Sequence, residues 1–295
     1  MVSTVVAAML LGLGAAAHAE TPKLKVFVSV DMEGVAGVVT GEQLGPTGFE
    51  YARFREFMTK EALAAVNAAR EAGATEVVVA DSHGNYQNLL IEQFPEDVRV
   101  VRGGPRRLGM MGGLDATFDA VIFVGYHAST DNPHGVRAHT FSSARLASVK
   151  LDGQAVSEGA FNARLAIHFG VPVRFVSGDD AAIEEVRSQV GAIEAVETKR
   201  ALGFHAAETL TPAAATSRIA AGVKKALTQP GRRLRSAAGV MVEVTFKNYR
   251  PAEMAAYLKG VERVDAHTIR WAAKDMVEAA DFLTFLLNYN LELEP

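Results

Sequence analysis

The stretch Leu24-Lys25-Val26-Phe27-Val28-Ser29-Val30, followed by Asp31-Met32-Glu33-Gly34, decides how the fold is interpreted from the sequence. Its apolar run is typical of a strand buried inside a sheet, and the glycine-rich turn after it ends the strand. The strand therefore brings Asp31 and Glu33 to one edge of a sheet, where Gly34 and Gly37 let the backbone approach a ligand. Carboxylates in this position commonly hold a cation, a ribose or a proton in transfer.

Strand and helix patterns alternate through the first 180 residues. Apolar residues at helical spacing predict a helix over residues 51–72, which Gly73 ends. Further strands are predicted at residues 75–80, 98–102, 120–126, 146–151 and 171–176, and a further helix at residues 159–169. Apolar strands that alternate with amphipathic helices are typical of an α/β fold with a layered, mostly parallel sheet flanked by helices.

The remainder of the chain predicts a smaller C-terminal α/β part. Helices are expected at residues 179–189, 212–227, 252–258 and 274–287, and a strand at residues 240–246. We place a domain boundary at residue 178, which gives an N-terminal metal-binding domain over residues 20–178 and a C-terminal domain over residues 179–295. A single continuous domain is the alternative interpretation.

The bulk composition excludes several classes of protein and site. The chain has 295 residues, 49% hydrophobic content and a formal net charge of -4. This mild acidity argues against nucleic acid or an anionic membrane as a partner, because both need a basic face. The absence of cysteine excludes disulfides, thiolate zinc sites and cysteine nucleophiles. Any metal ion must therefore be held by His, Asp and Glu.

Residues 1–19 have the character of a cleaved signal peptide. Residues 5–17 are almost wholly apolar, and Ala17-His18-Ala19 fits the small-x-small rule for signal peptidase. The apolar run is too short for a membrane span of ~20 residues. No Lys or Arg precedes it, so a misassigned start codon or an apolar N-terminus is the alternative. We expect a periplasmic or secreted protein, and a cytoplasmic one if the N-terminus is misassigned.

Four further polar sites lie at the ends of apolar segments. They are Asp81-Ser82-His83 after the strand at 75–80, His127 after the strand at 120–126, His139 in the next loop, and Glu158 before the helix at 159–169. In open α/β sheets, ligands bind outside the carboxyl ends of the strands. Imidazoles and carboxylates that converge there suit a divalent metal such as zinc, and an Asp can bridge two metal ions.

Each of these residues also has an ordinary structural explanation. Asp31 and Glu33 could belong to a turn, and a lone His at a strand end is commonly a half-buried, hydrogen-bonded residue. Asp81 or Ser82 could cap a helix, and Glu158 could be a first-turn acid favoured by the helix dipole. Joint placement at one sheet edge is harder to explain in this way, and it raises the case for a metal site.

The ordered set of these motifs resembles the D-aminopeptidase family, the zinc metallopeptidases of the dipeptide-transport-operon type. The segments that carry the resemblance are residues 29–34, 81–83 and 125–128, the contexts of His139 and Glu158, and residues 176–180, 246–249 and 273–276. The resemblance extends from Leu24 to the final predicted helix. Any one of these motifs would be weak evidence, whereas their order along the chain is specific.

The resemblance implies a site with two zinc ions per chain. By family pattern the metal ligands are Asp31 (bridging), Glu33, His83, His127 and Glu158, and His139 matches the catalytic histidine. The family releases N-terminal D-amino acids from short D-peptides and forms a ring-like decamer with a central channel. We expect metal-activated water to attack the peptide, with His139 as general base or transition-state stabiliser. The extra His134, in a Pro-Gly loop, is expected to be solvent-exposed.

Two other functions are compatible with the sequence. One is a metal-dependent amidase of other specificity that uses the same site. The other is an exported solute-binding protein without turnover, which would need only an open cleft with polar groups. A binding protein has no reason to gather five metal-type side chains and a free His at one edge, so the peptidase is the first hypothesis.

Overall fold

The structure, a computed structural model, describes residues 23–289. The predicted signal peptide at residues 1–19 lies outside them. Among the described residues, no helix combines the length and the apolar character that crossing a bilayer requires.

The chain forms twelve strands and six α-helices within the described residues. The strands are β1 Leu24–Val30, β2 Ala74–Asp81, β3 Arg99–Val101, β4 Ala120–Tyr126, β5 Leu146–Leu151, β6 Gln154–Ala155, β7 Val173–Asp179, β8 Glu194–Gly203, β9 Ala206–Thr209, β10 Val240–Phe246, β11 Val261–Arg263 and β12 Thr268–Ala273. The helices are α1 Tyr51–Glu71, α2 Glu158–His168, α3 Asp180–Val190, α4 Pro212–Thr228, α5 Tyr249–Ala255 and α6 Met276–Asn288. The predicted α/β class is confirmed.

Seven strands form the main sheet, in the order β3-β2-β1-β4-β7-β8-β9. All its neighbouring pairs are parallel except β8 and β9, which pair antiparallel. The chain passes from β1 to β2 and β3 on one side and then returns to β4 on the other side. The order therefore reverses between β1 and β4, where open α/β sheets bind their ligands.

Both faces of the main sheet are covered. On β1, Val26, Val28 and Val30 face one core with α1 and α4, while Phe27 faces the opposite core. This split follows from the alternation of side chains along a strand. Residues Tyr51, Phe54, Met58, Ala62, Ala65 and Ala69 of α1 are buried, as their helical spacing predicts.

A second, antiparallel sheet has the order β11-β12-β10-β5-β6. Its apolar residues share one core with α2, α6 and one face of the main sheet. Each of the two sheets takes strands from both sides of residue 178, because β5 and β6 precede it and β8 and β9 follow it. The division of the chain at residue 178 stays a prediction.

Some predicted elements differ from those observed. Helix α5 begins at Tyr249 rather than residue 252, because Pro251 is tolerated in a first turn where its missing N–H has no helical acceptor. Strands β6, β8, β9, β11 and β12 were not predicted. Strand β8 carries Glu194, Glu197, Lys199 and Arg200, so it lacks the apolar run that marks a buried strand.

Candidate metal centre

The six candidate residues converge where the strand order of the main sheet reverses, between β1 and β4. Asp31 and Glu33 follow β1, His83 follows β2, and His127 follows β4. Glu158 is the first residue of α2, whose N-cap Ser157 accepts a hydrogen bond from the N–H of Ala160. His139 lies in the loop between β4 and β5. The structure thus brings together every residue that the sequence analysis singled out for the site.

Asp31 stands between two histidines. One oxygen, Oδ1, lies 3.4 Å from His83 Nδ1, and the other, Oδ2, lies 3.3 Å from His127 Nε2. His83 Nδ1 is also 2.8 Å from Glu33 Oε2, and His127 Nε2 is 3.5 Å from Glu158 Oε2. Two compact groups result, Asp31 with Glu33 and His83, and Asp31 with His127 and Glu158. All five side chains are buried.

Backbone carbonyls fix the orientation of all three imidazoles. His83 Nε2 donates to the carbonyl of Leu44 at 2.7 Å, His127 Nδ1 to that of Ala128 at 3.0 Å, and His139 Nδ1 to that of Arg137 at 2.8 Å. In the neutral rings the other nitrogen therefore carries the lone pair, and in each case it faces carboxylate oxygens. An imidazole held from behind in this way is the usual arrangement of a metal-binding His.

The donor set fits divalent metal ions. Asp31 Oδ2 and His127 Nε2 are both buried without a hydrogen-bond partner. A lone pair that faces carboxylate oxygens is repelled unless a proton or a cation lies between them. Imidazole nitrogen and carboxylate oxygen are ligands that zinc accepts, and Asp31 offers one oxygen to each group. The residues of this site could thus hold two ions that share Asp31.

Burial and neighbouring charges shift the pKa values of the ligand residues. Burial and the charge of Glu33 raise the pKa of Asp31. Burial alone would raise the pKa of Glu33, but His83 outweighs it and holds that pKa well below its usual range. Burial would lower the pKa of each ligand histidine. The charges of Glu33 and Asp31 nevertheless raise the pKa of His83 well above the usual value. The charges of Glu158 and Asp31 do the same for His127. The carboxylates of the site thus favour positive charge at both histidines.

His139 is the most accessible histidine of the site. Its side chain is 13% exposed, against 8% for His83 and none for His127. The ring stacks on His127 with centroids 4.2 Å apart, and Nε2 lies 3.5 Å from Glu158 Oε1 and 3.9 Å from Glu33 Oε1. Glu33, His127 and His139 also lie close enough to form a third possible ligand group. The neighbouring His134 is exposed, as predicted.

Two residues that flank His139 have strained backbones. Arg137 has a φ of 55° and Phe141 a φ of 60°, in the left-handed region that side chains disfavour. Arg137 N donates to the carbonyl of Phe204, and Phe141 N donates to Glu158 Oε1 at 2.6 Å. Such strain, about 1–3 kcal/mol per residue, persists where the surroundings enforce it, and it clusters at functional sites.

Gly34 is required by the close approach of two strand ends. A Cβ on Gly34 would lie 2.0 Å from the carbonyl oxygen of Tyr126, whereas one on Gly41 would meet no atom within 4 Å. We expect Gly34→Ala to lower the free energy of unfolding by about 3 kcal/mol or more, and Gly41→Ala to change it by less than about 1 kcal/mol. Urea denaturation of both variants measures this. Equal stabilities would show that the turn has room for a side chain.

Among the buried polar residues near the site, the sequence analysis named Asp81 as a possible helix cap and missed Lys199 and Glu61. Asp81 accepts hydrogen bonds from Asn88 N and Leu89 N and so closes the loop that carries His83, without capping a helix. Lys199 and Glu61 contact the loop after Glu33. Nothing in the sequence separates these two from ordinary surface residues of a strand and a helix.

Glu61 is buried on α1 and accepts a hydrogen bond from Ala36 N at 3.0 Å, while its Oε2 has no partner. Burial raises its pKa from 4.5 to about 7. A raised pKa in the folded state means that protonation of Glu61 stabilises the fold. This contribution to the free energy of unfolding is fully present below the unfolded pKa and is lost as the pH rises through about 7. The loss is about 3 kcal/mol, at about 1.4 kcal/mol per pKa unit.

We therefore expect Glu61→Gln, which keeps the acceptor, to lose less stability than the wild type between pH 4.5 and pH 8. Urea denaturation at both pH values, with chelator present throughout, measures the difference. The exposed Glu71→Gln is the matched control on the same helix and should follow the wild type. Parallel losses in all three proteins would refute the raised pKa.

Comparison with known proteins agrees with this geometry. A family model described as D-aminopeptidase, peptidase M55, matches residues 24–285. The chain belongs to this family. Membership confirms the resemblance carried by the motifs, and it identifies the protein as a hydrolase of the aminopeptidase class.

A sequence match and a structure match, both from Bacillus subtilis, extend the comparison. A D-aminopeptidase of strain 168 is 32% identical over 266 residues, which cover 87% of this chain and 94% of the relative. A solved structure, described as the Zn-dependent D-aminopeptidase DppA, a self-compartmentalizing protease, superposes with a TM-score of 0.84 at 30% identity. The superposition covers 92% of this chain and all of DppA. The similarity to DppA therefore extends over nearly the whole chain, including both sheets.

Proposed function

We propose that this chain is a zinc-dependent D-aminopeptidase that holds two zinc ions. The observation that carries the proposal is the pair of buried ligand groups that share Asp31, each with one histidine and one further carboxylate. The zinc dependence stated for DppA supports the identity of the metal. Glu33 and His83 would bind one ion, His127 and Glu158 the other, and Asp31 both.

The residues of the site divide the work of peptide hydrolysis. Bound zinc would lower the pKa of water and polarise the scissile carbonyl. The carbonyl of Arg137 holds the His139 ring so that Nε2 faces Glu158 and Glu33. From there Nε2 can accept a proton from the attacking water and return it to the amine that leaves. Glu158 Oε1, 3.5 Å away, stabilises the imidazolium between these two transfers.

The proposed substrates are short peptides with an N-terminal D-residue such as D-Ala. The D-aminopeptidase activity named in both matches supports this choice. The test compares hydrolysis of D-Ala-D-Ala, L-Ala-L-Ala and N-acetyl-D-Ala-D-Ala, before and after chelation. Cleavage of the first alone, abolished by chelator and restored by zinc, is the expected result.

Other outcomes of the same assay distinguish the alternatives. Chelator-sensitive cleavage of an L-peptide or of the acetylated peptide would indicate a metal-dependent amidase of other specificity. Binding of D-peptide without turnover, even after zinc is added back, would indicate a solute-binding protein. Either result would overturn the proposed activity.

We further propose that the chain assembles into a homo-oligomer, and specifically a ring-like decamer. DppA is described as self-compartmentalizing, which requires several subunits around an enclosed space. Exposed Tyr249 and Met254 on α5, and Tyr257 after it, offer apolar surface for such contacts. Light scattering coupled to size exclusion should give about ten times the mass of one chain, and a monomer would refute the assembly.

A further inference from the structure

A buried lysine contacts the loop that carries Glu33. Lys199 lies on β8 and is 2% exposed. Its ammonium donates to three main-chain carbonyls, those of Glu33, Val35 at 3.0 Å and Val38 at 2.6 Å. These three bonds use all the donors of the ammonium group. The side chain is therefore committed to this one loop.

Neighbouring side chains hold the same loop through its backbone. Thr198 Oγ1 donates to the carbonyl of Gly34 at 2.6 Å, and Thr209 Oγ1 accepts from Gly37 N at 2.8 Å. Glu61 accepts from Ala36 N at 3.0 Å. Residues 33–38 lie outside any helix or strand, so side chains replace the ladder bonds that a strand would provide. Lys199 supplies three of these contacts and is the largest single contributor.

The position of Lys199 is electrostatically unusual. Burying an ammonium is costly unless it is paired and hydrogen-bonded. The carboxyl groups of Asp179 and Glu61, both buried, interact with its charge. A positive charge behind a site that binds cations repels those cations. A role that benefits metal binding must therefore come from geometry, since the charge acts in the opposite direction.

We propose that Lys199 is a positioning residue of the metal centre. By fixing the carbonyls of Glu33, Val35 and Val38, it holds the Glu33 carboxylate against His83 and so increases the affinity of the site for zinc. This inference rests on the proposed zinc site. The inference predicts the direction in which zinc affinity changes when the ammonium is removed. If only charge mattered, the affinity would rise. If positioning dominates, the affinity falls.

The absence of cysteine from the chain allows a chemical rescue. In Lys199→Cys the new thiol is unique, and in denaturant its thiolate displaces bromide from 2-bromoethylamine. The thioether that forms carries an ammonium at nearly the length of lysine. Wild type treated in the same way is the control for the reagent, and Lys224→Gln, at an exposed position of α4, is the control for loss of a lysine.

The measurements are zinc affinity by competition with a chromogenic chelator, and kcat and KM for D-Ala-D-Ala. We expect Lys199→Cys to bind zinc about 10–100-fold more weakly, as supporting residues of metal sites do when replaced. Aminoethylation should restore affinity to within about threefold of wild type, and kcat should recover with it. Lys199→Gln keeps two donors without the charge. If Lys199→Cys does not fold, Lys199→Gln should itself bind zinc about 10-fold more weakly than wild type.

Each other outcome has one meaning. Unchanged or tighter zinc binding in Lys199→Cys or Lys199→Gln would overturn the positioning role. Weaker binding that aminoethylation does not restore would overturn it too, because the loss would then lie in packing. A wild-type protein that binds no zinc would instead refute the proposed function itself.

Discussion

We expect the substitution Asp31→Asn to abolish binding of the two proposed zinc ions and to lower kcat/KM by about 10³-fold or more. One oxygen of Asp31 lies 3.4 Å from His83 Nδ1 and the other lies 3.3 Å from His127 Nε2. An amide offers one neutral oxygen in place of two that share a charge, so neither ion keeps its full ligand set. Metal ions supply several kcal/mol of transition-state stabilisation, and each 1.36 kcal/mol is a factor of ten in rate.

Elemental analysis of zinc, together with steady-state hydrolysis of D-Ala-D-Ala, measures both effects. The exposed Asp97→Asn is the matched control, since its carboxylate pairs only with Arg70 among the described residues. Retention of two zinc ions in Asp31→Asn would contradict a bridging role. Loss of one ion with the other retained would restrict Asp31 to a single group.

The second large effect is expected for His139→Gln, which should lower kcat by about 10²–10⁴-fold while zinc content stays at the wild-type level. Glutamine has a similar reach but cannot take up and return a proton at neutral pH. His139 is the most exposed of the three histidines. Its loss should therefore affect turnover more than metal binding.

Zinc content decides between the two roles that the geometry allows His139. Loss of zinc in His139→Gln would assign His139 to the ligand group with Glu33 and His127. Full activity with zinc bound would remove it from the mechanism. His134→Gln, in the same loop and exposed, is the control and should behave as wild type.

The sequence was sufficient to locate the candidate site because its strands are continuous apolar runs. Strands β1 and β4 lie where the pattern predicts them, and β2 is longer than predicted by one residue at each end. Since parallel strands end at a common edge, Asp31, His83 and His127 had to lie close together once these strands were adjacent. Strand order itself came only from the structure.

The supporting residues could not be predicted, for a physical reason. Lys199 and Thr198 are polar residues in a half-exposed strand, and Glu61 is an acid on a helix. The local sequence pattern predicts that such residues are exposed at the surface. They are buried because they contact residues 33–38, which are distant in the sequence. The register that joins β5 to β10 is likewise set by contacts between segments about 90 residues apart, which hydrophobic spacing does not encode.

The most direct test of the zinc site is anomalous X-ray diffraction from zinc-loaded crystals, with data collected on both sides of the zinc absorption edge. We predict two anomalous peaks per chain, one among Asp31, Glu33 and His83 and one among Asp31, His127 and Glu158. A single peak, or peaks away from these residues, would contradict the two-zinc site on which the proposed function depends.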